Sequence, residues 1–394
     1  MNVFAAVMTG KGTGAISTIQ LFGKKPGNII KKIFKPAGSK PASLKPGEIR
    51  LGTINNGSDN IDQVTIGCES HHSFAINCHG NPLIVSDIMK LLAQHGAKLT
   101  TAEQLLAKIL TAEKSINTIV LEAKLTQPTA RTIEGTKIIA NQIDVGLNKT
   151  AQKWLQNINA VSPAEIAAEA EQILETSRTA KLIIFGCTIA IAGPPNTGKS
   201  TLLNCLAGRQ KAIVTDIKGT TRDWVSARCK IGPLSVELID TAGLGEKLTA
   251  TSKDIVKKAS QQKSVQILEV ADLVLLVLDN SKNIEQLDEK LLEKITDKRV
   301  LTVLNKSDLP AKFDTSKLPQ MLVNTVQISA KFGTGIENLT GKIRQTTGVA
   351  NFGLHTPVCF TDRQENLLKQ LKNAKSKDQA ASVISELLNG RLSV

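Results

Sequence analysis

Residues 191–200, IAGPPNTGKS, contain the spacing of a phosphate-binding loop: Gly193, four further residues, and then Gly198, Lys199 and Ser200. The apolar run before the loop predicts a buried strand, and TLLNCLAG after it has the apolar spacing of a helix. Such a loop binds phosphate when it joins a strand to a helix, because glycines let the backbone amides turn toward an anion. The helix N-terminus also favours negative charge. The stretch therefore predicts an α/β domain that binds a nucleotide.

The polar residues of this loop have expected roles. Lys199 should reach the β- and γ-phosphates of the nucleotide, and Ser200 should ligate Mg²⁺. The other residues expected to surround the phosphates are Gly193, Asn196, Thr197, Gly198 and Thr201.

Motifs downstream of the loop predict a nucleotide-dependent switch. Residues 216–223, DIKGTTRD, lie one helix beyond the loop, where Thr221 can ligate Mg²⁺ and sense the γ-phosphate. In VELIDTAGL, Asp240 should hold Mg²⁺ through water, and the Gly243 amide should contact the γ-phosphate. Asn305 and Lys306 follow the buried run VLTVL, at the strand end where a ligand-facing loop is expected.

Asp308 determines the predicted base. A carboxylate there accepts hydrogen bonds from N1–H and the 2-amino group of guanine, whereas adenine lacks both donors. Ser329, Ala330 and Lys331 should support the base from the next strand end. In this order and spacing, the motifs predict GTP and GDP rather than adenine nucleotides as ligands.

Composition and charge restrict the class of protein. A chain of 394 residues with 41% apolar residues predicts a globular protein of two to four domains. The net charge of +14 favours an anionic partner, RNA first and a membrane surface second, although a generally basic proteome would give the same sign. No apolar run is long enough to span a membrane, and no signal peptide is evident, so we expect a cytoplasmic protein without a membrane partner.

Periodicity along the chain predicts the domain order. Strand patterns such as AISTIQLF, QVTIGC and SFAINCHG place a small α/β unit at residues 1–100, in which residues 24–50 are either an RNA-contacting loop or a solvated linker. Helical spacing marks residues 101–180 and, after the nucleotide domain at 181–346, residues 347–394. We expect an α/β P-loop GTPase domain inserted in an α-helical domain, preceded by a small α/β N-terminal domain; a plain string of three domains is the alternative.

The run IAGPPNTGKSTLLNCLAGRQKAIVTDIKGTTRD resembles the MnmE (TrmE) tRNA-modification GTPases. The residues AIVT before the switch, GTTRD within it and INCHG at 76–80 are similar to that family's signatures, as is the domain order. The resemblance implies a homodimer formed through the N-terminal domain, a folate bound there, and a flavin-dependent partner protein. It also implies action on the wobble uridine of tRNA.

The resemblance further implies a potassium ion that bridges the phosphates. By that similarity, four residues would ligate K⁺: Asn196, Thr215, Ile217 and Thr220. A fixed cation neutralises charge that develops during phosphoryl transfer. Lys199 and Thr221 would be the catalytic residues, and Ser200 and Thr221 the Mg²⁺ ligands.

Three departures from the family pattern concern its chemistry. The family's water-positioning glutamate follows the DTAG motif, and the nearest match here places Lys257 at that position, with Asp254 or Glu246 as possible substitutes. A lysine cannot accept hydrogen bonds from water, so we expect slow hydrolysis unless another acid serves. Residues 99–105, LTTAEQL, differ from the family's folate-domain motif, which argues against folate binding, and the closing residues lack the family's C-x-G-K motif, so the 347–394 segment is read as truncated.

Two functions are consistent with these residues. The first is a GTPase that couples hydrolysis of GTP to GDP and phosphate with wobble-uridine modification in tRNA. The second is a switch like the Era and Der GTPases, which would bind RNA or ribosomes without modification chemistry.

Overall fold

The computed structural model describes residues 2–10, 12–38, 43–57, 59–112, 117–209, 226–241, 266–287 and 289–390. The chain divides into two compact units, an N-terminal unit that ends at Leu121 and a second unit, Glu122–Gly390. Among these residues, no helix has both the length and the apolar character needed to cross a membrane.

The N-terminal unit contains a seven-stranded sheet in the order β3-β4-β5-β6-β2-β1-β7, antiparallel except for the parallel pair β1 and β7. Ile54, Ile66 and Ile76 are fully buried, because alternate residues of a strand point to the same face. The strands are β1 (Val3–Val7), β2 (Ile16–Phe22), β3 (Phe34–Pro36), β4 (Ile49–Asn55), β5 (Asn60–Ser70), β6 (Ser73–His79) and β7 (Ala97–Leu99), and the helices are α1 (Gly27–Ile33), α2 (Pro82–Gln94) and α3 (Ala102–Ala112).

The predicted strands of this unit are confirmed, but residues 24–50 are more ordered than a loop or linker. They contain α1, strand β3 and the start of β4. Ile29, Ile30 and Ile33 of α1 are buried, which fixes the basic residues between and around them at the surface.

The second unit contains a six-stranded sheet in the order β13-β12-β11-β8-β10-β9. All neighbouring strands are parallel except β9, which pairs antiparallel with β10. Because a parallel sheet is covered on both faces, its central strands are apolar throughout, and β11 and β12 are buried at every position. The strands are β8 (Cys187–Ala192), β9 (Ser226–Ile231), β10 (Leu234–Asp240), β11 (Leu273–Asp279), β12 (Val300–Asn305) and β13 (Thr325–Gln327). This is the predicted α/β nucleotide-binding sheet.

The helices that precede the sheet in sequence pack against the helices that follow it. The helix at residues 163–185 contacts both helices at the end of the chain, and helices earlier in the chain contact that helix and the last one. The helices are α4 (Thr118–Thr126), which contains the boundary between the units, α5 (Ile133–Asp144), α6 (Leu147–Gln156), α7 (Pro163–Phe185), α8 (Lys199–Arg209), α9 (Glu289–Ile295), α10 (Ile336–Thr346), α11 (Asp362–Lys372) and α12 (Lys377–Asn389). In particular, α11 packs on α7 and α12, and α12 packs on α6.

A buried ion pair joins helix α4, which precedes the sheet in sequence, to helix α11, which follows it. Arg363 of α11 donates two hydrogen bonds of 2.9 Å to the Glu122 carboxylate of α4, and Glu122 is 3% exposed. Arg363 also donates to the backbone carbonyls of Glu386 and Leu387 in α12. Removing one partner of such a pair leaves a buried charge, which costs about 3–5 kcal/mol.

Helix α7 runs almost directly into the strand that carries the phosphate loop. Ser162 and Glu165 form a reciprocal capping box at its start, and Pro163 lies in the first turn, where a helix accommodates proline. The helix ends at Phe185 and β8 begins at Cys187, so Gly186 alone connects them. Its φ of 95° is a conformation that favours glycine, and an added Cβ would lie 3.0 Å from the Ser235 carbonyl oxygen.

Candidate nucleotide-binding site

The loop between β8 and α8 has the backbone of an anion-binding site. Gly193 and Gly198 have φ values of 141° and 93°, and Asn196 has a φ of 63°. A Cβ on Gly193 would lie 2.2 Å from the Val277 carbonyl oxygen, and one on Gly198 would lie 2.3 Å from Asn305 Nδ2. Only glycine therefore fits at these two positions, and the loop leads into the N-terminus of α8, where a phosphate is stabilised.

Lys199 crosses this loop. Its Nζ donates a hydrogen bond of 2.7 Å to the Pro194 carbonyl oxygen, and the residue is 5% exposed. Burial lowers the pKa of Lys199, and the nearby Asp240 carboxylate opposes that shift. A phosphate group would favour the charged amine in the same way as Asp240, so a bound nucleotide is expected to raise this pKa.

Thr197 and Thr201 have different surroundings within the loop and helix. Thr197 is 1% exposed, and its hydroxyl donates to the Pro194 carbonyl oxygen at 3.0 Å. Its side chain therefore stabilises the loop itself. Thr201 is exposed in the first turn of α8.

Ser200 and Asp240 meet beside the loop. Ser200 Oγ donates a hydrogen bond of 2.7 Å to Asp240 Oδ2, although the two residues lie on α8 and at the end of β10. Asp240 is fully buried while Ser200 is exposed, so this pair of oxygens lies between the protein interior and the surface. A hydroxyl and a carboxylate are the hard oxygen ligands that Mg²⁺ prefers.

Asn305 connects the phosphate loop to the loop at residues 329–331. Its Nδ2 donates to the Thr197 carbonyl oxygen at 2.8 Å, and its Oδ1 accepts from the Ala330 amide at 2.9 Å. Asn305 is 3% exposed. The side chain therefore joins two protein segments, and it would support a nucleotide by holding these two segments in place.

Lys306 makes a second connection to the phosphate loop. Its Nζ donates to the Asn196 carbonyl oxygen at 2.8 Å and to Asp279 Oδ2 at 2.6 Å. Ser281 also donates to the Asp279 carboxylate, through its amide at 3.0 Å and its hydroxyl at 2.7 Å. Burial raises the pKa of Asp279, but the hydrogen bonds from Lys306 and Ser281 outweigh burial and leave that pKa below its usual value. Asp279 therefore stays ionised and fixes Lys306.

Asp279 is a site residue that motif matching missed. The sequence signal was present, because Asp279 ends the apolar run LVLLVLD at the carboxyl end of a buried parallel strand. Ligand-contacting and positioning groups of such sheets collect at that edge.

The residues that are predicted to surround the guanine base differ in exposure. Asp308 and Lys331 are exposed, whereas Ser329 is 1% exposed. The Ser329 amide donates to the Thr334 carbonyl oxygen at 3.0 Å, which closes the loop that follows β13. Lys331 Nζ lies 5.1 Å from the centroid of the Phe332 ring. The Asp308 carboxylate is thus accessible to a ligand beside a loop that Asn305 holds in place.

Several predicted site residues lie outside the described residues. They are the K⁺ ligands Thr215, Ile217 and Thr220, the Mg²⁺ ligand Thr221, the γ-phosphate contact Gly243, and Lys257 with Asp254 and Glu246 at the water-positioning segment. Their roles stay predictions.

Comparison with known proteins covers both units. The family described as 50S ribosome-binding GTPase matches residues 188–306, and the family described as GTP-binding protein TrmE N-terminus matches residues 3–104. A crystal structure of Aquifex aeolicus Era bound to GDP·AlF4⁻ is 25% identical and covers 49% of this chain and 69% of its own, with a TM-score of 0.31, too low to support any conclusion.

Two relatives of known function match nearly the whole sequence. The tRNA modification GTPase MnmE of Enterococcus faecalis is 28% identical over an alignment that covers 99% of this chain and 89% of the relative. The tRNA modification GTPase MnmE of Aquifex aeolicus is 30% identical over an alignment that covers 93% of this chain and 86% of the relative. With this identity over most of both chains, and with the TrmE N-terminus matched as well, the chain belongs to the family of MnmE tRNA modification GTPases.

Proposed function

We propose that this GTPase couples its cycle of GTP binding and hydrolysis to modification of the wobble uridine in tRNA. The observation that carries the proposal is the convergence of three groups at one sheet edge. The side chains of Asn305 and Lys306 join the phosphate loop to the segment that carries Asp308, and the Ser200–Asp240 pair lies where the phosphate loop enters α8. The names of the relatives supply the coupling to tRNA.

The chain's own residues would bind and polarise the triphosphate. The amides of the loop and the N-terminus of α8 donate to phosphate oxygens. The Lys199 ammonium group, which donates to the Pro194 carbonyl oxygen, would donate to phosphate oxygens instead. Preorganised donors of this kind stabilise charge that develops on the phosphates during transfer. Asp308 selects guanine by accepting from its two donors.

Mg²⁺ would be held by Ser200 directly and by Asp240 through water, with Thr221 as a further ligand. The geometry supports this assignment, because the Ser200 hydroxyl and the Asp240 carboxylate already lie 2.7 Å apart. When bound, the ion neutralises charge on the β- and γ-phosphates.

Potassium is the second cation in the proposal. Asn196 is exposed in the phosphate loop, so its carboxamide oxygen is available to a hard cation beside the phosphates. Thr215, Ile217 and Thr220 would complete the set. GTP turnover should therefore be faster in KCl than in NaCl, and Asn196→Ala should remove that difference; equal rates in the two salts contradict a K⁺ site.

The proposal extends to arrangement and partners. The packing of α11 and α12 on α6 and α7 supports one helical domain built from both sides of the GTPase domain. A homodimer through the N-terminal domain, a flavin-dependent partner and RNA binding follow from the family. The different residues at 99–105 argue against bound folate. They also favour the alternative, an Era- or Der-like switch that binds RNA or ribosomes.

The decisive experiment is genetic. Deleting the gene should remove the wobble-uridine modification from total tRNA, measured as nucleosides by liquid chromatography and mass spectrometry. The wild-type gene should restore the modification, Lys199→Ala should not, and Lys312→Ala, an exposed lysine of the same unit, should serve as the matched control. An unchanged nucleoside profile after deletion contradicts the proposal and favours the alternative switch.

A further inference from the structure

A small basic hollow lies in the N-terminal unit, well away in sequence from the nucleotide motifs. Its volume is about 190 Å³, and it lies between the start of α1, the segment before β4 and the turn that joins β5 to β6. The polar residues that line it, which we call the basic hollow, are Lys25, Asn28, Lys31, Ser43 and His71. Buried apolar side chains, including Ile30 and Phe74, form its floor.

The fold fixes the two sides of the basic hollow relative to each other. The Gly23 amide donates to the His72 carbonyl oxygen at 2.9 Å, and the His72 ring nitrogen Nδ1 lies 3.1 Å from the Gly23 carbonyl oxygen. These contacts hold the loop that carries Lys25 against the turn that carries His71. A Cβ on Gly27 would lie 3.3 Å from the Phe74 ring, so α1 begins close to β6.

The described residues that line the basic hollow include no acid, and basic residues predominate in the segment around it. Residues 24–50 contain eight basic residues and one acid, Glu48, and the exposed Lys24 and Lys32 directly adjoin the lining residues Lys25 and Lys31 in sequence. Two acids act on the lining residue Cys68: Glu48 is paired with Arg50, whereas Glu69 accepts hydrogen bonds from the neutral groups of Gln20 and Ser73. Within the described part of the N-terminal unit, no acidic side chain forms an ion pair with a lysine of the hollow.

We propose that the basic hollow binds a phosphodiester group of the tRNA backbone, an inference that rests on the proposed function. The ammonium groups of Lys25 and Lys31 would donate to the non-bridging oxygens, with Asn28 and Ser43 as neutral donors. Lys24 and Lys32 would face the adjacent phosphates of the same strand. Such contacts position RNA without reading its sequence.

A polynucleotide fits this surface better than a bilayer does. The lysines continue beyond a hollow that accommodates one phosphate, as a chain of regularly spaced phosphates requires. Stable binding to a membrane surface usually combines basic residues with apolar side chains that insert between lipids. The apolar residues here face the core instead: Ile30 and Phe74 are 0% and 5% exposed, and Leu44 is partly buried against the same core.

The test compares two double variants of the full chain. Lys25→Ala/Lys31→Ala removes the charges of the hollow, and Lys90→Ala/Lys98→Ala removes two exposed lysines elsewhere in the same unit. Affinity for unmodified tRNA is measured by fluorescence anisotropy between about 50 and 200 mM KCl. The hollow variant should bind about tenfold more weakly, and its slope of log affinity against log salt should be shallower by about 1.5, since each lost phosphate contact removes 0.7–0.9.

Further measurements exclude a folding defect. Both variants should keep the wild-type melting temperature, GTP affinity and tRNA-free turnover, and Lys25→Arg/Lys31→Arg should bind tRNA like the wild type. A hollow variant that matches the Lys90/Lys98 control in affinity and slope overturns the proposal. So does a variant that loses binding to phosphatidylglycerol vesicles while its tRNA binding is intact. The gene-deletion experiment tests the proposed function separately, because modification can depend on this protein whichever surface contacts tRNA.

Discussion

The ammonium group of Lys306 lies 2.6 Å from the carboxylate of Asp279, and this pair fixes the segment that carries Asp308 against the phosphate loop. Lys306 adopts a φ of 63°, which is uncommon for a residue other than glycine. The Asp279 carboxylate and the Asn196 carbonyl oxygen together hold its side chain. Lys306 therefore helps Asn305 to hold the predicted base-binding segment against the phosphate loop.

Asp279→Asn should weaken nucleotide binding although Asp279 is not expected to touch the nucleotide. Loss of the charged partner of Lys306 should cost about 1–2 kcal/mol, a roughly 5–30-fold rise in the Kd for GDP. Titration with a fluorescent GDP analogue measures the change. Asp314→Asn, at a half-exposed carboxylate of the same unit, is the control and should bind normally. Equal affinity for both variants contradicts a positioning role for Asp279.

Ser200→Ala should reduce the response of GTP turnover to magnesium. Without the hydroxyl, Mg²⁺ loses a direct ligand, so turnover at saturating GTP should fall by at least about tenfold, and more Mg²⁺ should be needed for half-maximal rate. Phosphate release measured across a Mg²⁺ titration tests both changes. Thr340→Ala, which removes a hydroxyl bonded to the Glu337 carbonyl, should leave the titration unchanged.

Asp308→Asn should change the base that the site prefers. An amide cannot accept from both N1–H and the 2-amino group of guanine, so GTP affinity should fall by roughly 100-fold. Xanthosine triphosphate carries a 2-oxo group, to which the new amide can donate, and should bind the variant better than GTP does. Competition against a fluorescent nucleotide measures the preference. If the variant keeps its selectivity for GTP, Asp308 does not contact the guanine base.

Lys257→Glu should accelerate hydrolysis if Lys257 stands at the water-positioning point. A carboxylate there can orient the attacking water, which a lysine cannot, and the gain should be roughly tenfold or more in turnover. GTP affinity should not change. The neighbouring Lys258→Glu supplies the matched control, and a rate that rises equally in both variants attributes the effect to net charge.

Glu365 should make stability depend on pH in the acidic range. Hydrogen bonds from Lys181 and Lys369 lower the pKa of Glu365 from 4.5 to about 2. Its contribution is therefore complete above pH 4.5 and is lost as the pH falls toward about 2. The difference in unfolding free energy between the wild type and Glu365→Gln, from urea denaturation, should shrink over that window. A difference that stays constant from pH 4.5 to about 2 contradicts this role of Glu365.

Sequence patterns predicted those parts of the fold that depend on neighbouring residues. The phosphate loop combines Gly193 and Gly198 with a strand and a helix, and each of these has a local signal. The start of α7 also has a local signal, because Ser162 and Glu165, which cap the helix, are only three residues apart. The apolar run VLTVL likewise predicted a buried strand, and the structure shows β11 and β12 buried at every position.

Contacts between distant segments were not predictable from the same patterns. Asn305 and Lys306 matched a base-recognition motif, but the structure shows both bonded to the phosphate loop, more than a hundred residues earlier in the chain. In the sequence Asp279 is only the last residue of an apolar strand, and its contact with Lys306 is evident only from the structure. The closing helical run proved to be two helices, α11 and α12, since Ser376 accepts from the Gln379 amide and starts a new helix.

Gly186 gives the helical segment a mechanical connection to the nucleotide. Helix α7, with 23 residues, is roughly 35 Å long, and only this glycine separates it from the strand that ends in the phosphate loop. A tilt of about 5° in the direction of β8 would displace the far end of the helix by about 3 Å. Helix α7 is thus placed to carry a small movement of the phosphate-loop strand into the helical segment.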